Sequence, residues 1–257
     1  MKLKTHYPTV IIGATAYGIG FASQKPDEVL VIERTALVAP EYIDSLHVGS
    51  TEWNPTEPMG FDLKNELLSR NVLSAAGRFH APGAASTLFD LIQKKDISVL
   101  FLTDVIGIEK MESDYEITIY NNSGFQKISA GRVIDTTPKA DKKSINAFVV
   151  SNGNPCDHPM LRQGRFENEF ILCVPLEMED DWIAARKKVH TFWQNRDAGL
   201  KDWTLVSIAS TFDFTVDNTV DEPGPYAIQE RWEWMPGNAY GNLLEAFEAG
   251  IKGGMVK

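Results

Sequence analysis

The sequence predicts an α/β fold: a parallel sheet, an antiparallel meander attached to it, and an inserted, sheet-rich second domain. Three observations carry this. Two short apolar runs, Thr9 to Ile12 and Val29 to Ile32, flank a glycine-containing turn and a short helix. Three strand-like segments follow between residues 105 and 129 with a tight turn between the last two. From about residue 139 the helix–strand texture gives way to long strands and tryptophans.

The elements follow in order. Thr9-Val-Ile-Ile12 stops at Gly13, as a strand buried on both faces does. Gly18 to Ser23 suits a short helix ended by Lys25-Pro26-Asp27, and Val29 to Ile32 is a second buried strand ending at Glu33-Arg34. Residues 36 to 60 form a long connection, of the kind that packs on a ligand or carries function. Leu63 to Ser69 is a weak helix. Pro82 to Lys95 is a stronger one, with Ala85, Leu88, Phe89 and Ile92 on one face. Ser98 to Leu102 is a third buried strand. Val105 to Met111, Tyr115 to Tyr120 and Phe125 to Ser129 form the meander, with Asn121-Asn122-Ser123-Gly124 as a hairpin turn. Arg132 to Asp135 reads as a separate short strand that stops at Thr136-Thr137-Pro138. Phe166 to Leu176 and Trp203 to Thr215 read as two long strands separated by an amphipathic helix over Asp180 to Trp193, and Asn242 to Lys252 as a final helix. The domain boundaries expected are 1–138, completed by 231–257, with 139–230 inserted.

Composition excludes several classes. A net charge of −10 argues against nucleic-acid binding, which needs clustered Lys and Arg to displace counterions. It does not exclude an anionic cofactor, because backbone amides bind phosphate locally. Met1 to Phe21 imitates a signal peptide, but Gly13, Ala14, Gly18 and Gly20 break its apolar run, and no run reaches the roughly 20 apolar residues of a membrane span. A cytoplasmic protein without membrane or nucleic-acid partners is expected. Cys156 and Cys173 are the only cysteines and form no CxxC pair, so no redox-active dithiol is expected. His158 and Asp157 beside Cys156 lack matching ligands elsewhere, so no metal site is expected.

The strongest constellation is Gly13-Ala14-Thr15-Ala16-Tyr17-Gly18 followed by Glu33. The dinucleotide fingerprint wants GxGxxG between a strand and a helix, with an acid about 20 residues on. Gly13 allows the sharp turn, Gly18 lets the helix pack on the sheet, and Glu33 accepts from ribose hydroxyls. Thr15 replaces the second glycine, adding bulk where the backbone approaches the diphosphate and a hydroxyl that could donate to it. Glu33 in place of a basic residue disfavours NADP.

The order of these motifs with Asp135-Thr136-Thr137-Pro138 resembles the FAD-dependent oxidoreductases of the glutathione-reductase-like, FAD/NAD(P)-binding Rossmann class. The group that includes amino-acid oxidases and FAD-linked monooxygenases is the most similar. The resemblance covers residues 8–138 and, weakly, 236–252. It implies FAD bound in extended form, with the diphosphate at Gly13, Thr15, Ala16 and Gly18 and the ribose closed by Glu33 and Arg34. It further implies adenine against Val105, and cofactor contacts near Thr136 and at Gly241 and Asn242 before the last helix. Where the class ends its late strand in glycine, this chain has Pro138. The chain is also shorter than most of the class, which implies a reduced substrate domain.

The activity implied is hydride transfer from a small organic substrate to flavin. The alternative is a flavin-binding or cofactor-free scaffold or subunit without turnover of its own; a homo-oligomer or a partner subunit is the expected assembly, and a dehydrogenase using NAD fits the meander poorly. His47, on the loop that runs toward the flavin in such folds, is either a donor or base or a hydrogen-bonded loop histidine. Arg78 either pairs with the diphosphate or is solvated. The Arg231-Trp232-Glu233-Trp234 segment either stacks on a ligand or packs.

Overall fold

The computed structural model describes residues 3–152, 157–216 and 224–255. Strands β1 (His6–Ile12), β2 (Val29–Ile32) and β3 (Ser98–Leu100) are parallel neighbours, and helix α1 (Ala16–Ala22) joins the first two. The second half of β1 and all of β2 are largely buried on both faces, which is why they read as apolar runs. Ile11, Val29 and Val31 face a helical layer of α1, α2 (Pro58–Ser69), α3 (Ala84–Lys94) and the C-terminal α5 (Leu243–Met255). Val10, Leu30 and Ile32 face the opposite way, into a core shared with Tyr115, Ile117 and Val133.

That second core belongs to the meander β4 (Asp104–Lys110), β5 (Tyr115–Asn121) and β6 (Gly124–Asp135). Asn121 pairs with Gly124 across a two-residue turn, and Gly124 takes φ +86°, the left-handed region open to glycine. The third meander strand and the short strand expected at Arg132–Asp135 are one strand. Its first half pairs with β5 and its second half with β1. Ser129 and Ala130 pair with both strands, one on each edge, and Gly131 then passes close to Pro8, with only 3.0 Å between a Cβ there and the Pro8 carbonyl oxygen.

Helix α1 is seven residues long and wholly buried, so packing rather than propensity holds it. It crosses α5 almost backbone to backbone: a Cβ on Gly20 would meet the Phe247 carbonyl oxygen at 2.0 Å, and one on Gly250 the Tyr17 oxygen at 2.0 Å.

The second sheet contains β7 (Lys142–Val150), β8 (Leu161–Gln163), β9 (Glu169–Leu176), β10 (Thr204–Ile208) and β11 (Asp213–Thr215). Ile145, Ala147, Val149, Leu172 and Val174 pack against α4 (Trp182–Gln194), whose first turn is capped by the Asp181 side chain. The segment 203–215 is not one strand. Ala209 donates to the Asn146 carbonyl, then Ser210 donates to the Asp44 carbonyl, so the chain leaves β7 between β10 and β11. The other sheet face packs Ile171 and Ala209 on Leu46 of the long loop. Strands β12 (Tyr226–Gln229) and β13 (Trp232–Trp234) form a hairpin whose second strand runs parallel to β6 in the first sheet. The Trp-rich segment is thus a strand, with Trp232 packed edge-on against Tyr115. Among the described residues no helix is long and apolar enough to cross a membrane.

Candidate functional site

One cleft forms where the strands of the first sheet end, and another lies between the long loop and the second sheet. The first has a volume of about 360 Å³ and is lined by Gly13, Thr15, Glu33, Arg34 and Val105, five of the residues singled out above, together with Glu41 and Pro138. They converge because β1 and β2 are parallel neighbours whose carboxyl ends both open here, while Thr103 is tied by its amide to the Glu33 carbonyl and brings β4 alongside. Gly13 turns out of β1 at φ +99°; a Cβ there would sit 2.7 Å from the Thr136 hydroxyl.

Glu33 is 5% exposed and both oxygens of its carboxylate accept hydrogen bonds. One oxygen accepts from the Ala14 amide at 2.8 Å, the other from the Thr35 amide at 2.8 Å and the Thr35 hydroxyl at 2.7 Å. Arg34 points outward and pairs with Asp104 at 3.3 Å. Thr15 caps α1: its hydroxyl accepts from the Gly18 amide at 3.0 Å and donates to Thr136 at 2.9 Å. Thr136 donates in turn to the Ile12 carbonyl. The Ala16 amide donates to the Glu41 carboxyl at 2.7 Å. Burial pushes that carboxyl up to about 8; the Ala16 bond opposes the shift, while the charges of Glu33 and Asp44 add to it.

The second cleft, about 300 Å³, lies between the long loop and the second sheet and is lined by His47, Gly49, Asn146, Arg162, Asp213 and Gly241 among others. His47 Nδ1 lies 3.0 Å from Asp213, whose other oxygen accepts from the Asn146 side-chain amide at 2.8 Å. Asn146 also donates to the Ser45 carbonyl, so one buried amide ties the loop to the sheet. Cys173 borders this cleft, its thiol pushed up to about 12 by burial and by Asp213. Gly241 and Asn242 open α5. Asn242 accepts from the Glu245 amide, Glu245 accepts from the Gly241 amide, and Ser50 donates to the Gly241 carbonyl.

The structure therefore gathers Gly13, Thr15, Glu33, Arg34 and Val105 in one cleft and His47 and Gly241 in the other. Ala16, Gly18 and Thr136 lie buried behind the first, and Asn242 behind the second. Arg78 lines neither cleft, and His80 instead pairs with Glu169 at 3.0 Å. Sequence reasoning missed Glu41, Asp213 and Asn146. Only Asn146 left a signal, a polar residue inside the apolar run Ile145–Val150. Cys156 lies outside the described residues, among which no group of three His, Cys, Asp or Glu residues is placed to hold a metal.

No family model and no curated protein matches the chain. Solved structures do. Glycine oxidase from Geobacillus kaustophilus aligns over 96% of this chain and 93% of its own, with a TM-score of 0.62 and 10% identity. A flavoprotein/dehydrogenase from Cytophaga hutchinsonii aligns over 96% and 76%, with a TM-score of 0.57 and 13% identity. CabE, an aromatic hydroxylase from angucycline biosynthesis, aligns over 96% of this chain but 61% of its own, with a TM-score of 0.58 and 13% identity. The chain thus spans about three fifths of the length of that hydroxylase. At such identities the likeness concerns architecture, and it agrees with the parallel sheet, the meander and the second sheet described above. By fold, the chain is of the FAD/NAD(P)-binding Rossmann type.

Proposed function

We propose that this protein is an FAD-binding oxidoreductase that moves a hydride from a small organic substrate to the flavin. The observation that carries the reading is the first cleft. A glycine turn, a buried acid at the end of β2 and the start of β4 meet there, as an extended adenosine dinucleotide requires. The residues fit the adenosine end: Glu33 and Thr35 offer polar groups for ribose hydroxyls, and Val105 offers backbone at the cleft wall. At the diphosphate end the donors are present, with the Ala16 amide held by Glu41.

Bound FAD supplies the hydride acceptor. The chain's own part is to orient substrate and handle a proton. Asp213, fixed by Asn146, holds His47 through Nδ1, which leaves Nε2 as the nitrogen available to take a substrate proton. Arg162 adds positive charge to the same cleft, which suits a substrate bearing an anionic group. Asp213 and Asn146 are positioning residues in this scheme.

The second reading is a cofactor-free scaffold, and the specific observation favouring it is the occupation of the turn by Glu41. Purified protein that is yellow and releases FAD on denaturation supports the first reading. Protein that stays colourless after incubation with FAD overturns it.

A further inference from the structure

Within the Gly13–Gly18 turn, three amides already have side-chain acceptors from the chain itself. Ala14 donates to Glu33, Gly18 to the Thr15 hydroxyl, and Ala16 to Glu41. Glu41 differs from the other two. Its second oxygen is buried without a hydrogen-bond partner among the described residues, although the side chain borders the nucleotide cleft. A buried polar atom left unpaired costs about 1–3 kcal/mol, so it marks a group held in place for another reason. The loop presents it firmly: the Ala39 amide donates to the Ala14 carbonyl at 2.7 Å, and the Ser45 hydroxyl to the Glu41 carbonyl at 2.6 Å.

A carboxylate and a diphosphate are both anionic acceptors, and one N–H serves one of them well. We propose that Glu41 is the specificity-determining residue of this cleft. While its carboxyl holds the Ala16 amide the cleft accepts an adenosine moiety, and a dinucleotide seats only as that carboxyl leaves the amide. The inference rests on the FAD reading of the same cleft. It places a competitor for the diphosphate inside the protein, so that dinucleotide affinity is set by how readily Glu41 lets go.

Protonation bears on that competition. Glu33 from β2, Asp44 and Tyr42 from the loop, and Arg34 and Asp104 at the cleft rim are the charged or titratable groups around Glu41. Below about 8 the Glu41 carboxyl is uncharged and a weak acceptor. Above it, the carboxylate grips Ala16 and repels phosphate.

The experiment titrates FAD, by quenching of flavin fluorescence, and adenosine, by calorimetry, into apo wild type, Glu41→Ala and Glu41→Gln. Glu41→Ala should bind FAD about tenfold more tightly, while adenosine affinity stays within about twofold. Wild type should lose about fivefold to tenfold in FAD affinity between about pH 7 and pH 9, and Glu41→Gln should stay flat. Equal or weaker FAD binding by folded Glu41→Ala overturns the role of Glu41 alone. If that variant does not fold, a pH dependence in Glu41→Gln matching wild type overturns it instead. Absence of FAD binding in all three proteins overturns the flavin reading and the role of Glu41 with it.

Discussion

Replacing Glu33 by alanine should separate two roles that the fingerprint merges. The carboxylate accepts three hydrogen bonds from Ala14 and Thr35, and Arg34, its sequence neighbour, is turned outward to Asp104. Truncation leaves two backbone amides without an acceptor, at about 1–3 kcal/mol each where water is excluded. The adjoining 360 Å³ cleft admits water to part of that space, which favours the lower end. Relief from burying an uncompensated charge offsets some of the rest. A net loss of about 2 kcal/mol remains, or about 4–8 °C in Tm for a chain of this size. The ribose role adds its own effect: losing a charge-assisted bond of about 1.5–3 kcal/mol should weaken FAD binding by about 10- to 150-fold. Thermal unfolding of the apo proteins and FAD titration well below both transitions measure the two separately. An unchanged Tm refutes the structural role. Unchanged FAD affinity with an intact fold refutes the ribose role.

Further outcomes follow from other contacts. Gly250→Ala, which in an open helix would stabilise by about 1 kcal/mol, should instead cost about 1–3 kcal/mol in urea unfolding, because its methyl group would meet the Tyr17 carbonyl oxygen at 2.0 Å. His47→Ala should slow flavin reduction by about 10²- to 10⁴-fold with FAD still bound, as loss of a general base does; an unchanged rate in stopped-flow spectra removes it from the chemistry. Glu41 has its folded pKa raised from 4.5 to about 8, so its stabilising contribution is full below 4.5 and is lost as pH rises through about 8. Wild type should therefore weaken relative to Glu41→Gln across that window in denaturant titrations; parallel curves contradict this. Cys173, with its thiol at about 12, should resist iodoacetamide near pH 8 in the native state, and Cys173→Ser should leave flavin reduction unaltered.

The parts of this fold that could be read in advance are those whose pattern is local. β1, the glycine turn and β2 announce themselves because strand segments covered on both faces are apolar runs, as residues 10–12 and 29–32 are. The Asn121–Gly124 hairpin does so because one position needs positive φ. Helix α4 showed its apolar face. β6 was divided in two because one of its edges passes from β5, up to Ala130, to β13, from Val133, and a partner change leaves no mark on a strand's own periodicity. The stretch 203–215 looked continuous because its break is made by Asp44, far off in the chain. β7 went unnamed although Asn146, the one polar side chain within Ile145–Val150, proved to be the tie between the sheet and the long loop.

The site divides along the same line. Gly13, Thr15 and Glu33 share a cleft because a strand–turn–helix–strand unit fixes their relative places within about 30 residues; Val105 joins them from far along the chain, where the Thr103 amide ties the start of β4 to the Glu33 carbonyl. Glu41 shares it too, yet nothing between residues 36 and 60 pointed to that acid. Thr15 was read as bulk and a hydroxyl donor at a diphosphate; in the structure its hydroxyl also caps α1 and anchors Thr136, so its substitution bears on the helix as well as on the ligand. Carboxylates recur at such positions: Glu248 accepts from the Thr56 and Glu57 amides at the start of α2, and Glu245 from Gly241 at the start of α5. The amides that make a glycine turn attractive to phosphate attract a side-chain carboxylate for the same electrostatic reason. A fingerprint in the sequence therefore specifies a set of donors, and which acceptor takes them depends on whether the fold brings an acid such as Glu41 within reach.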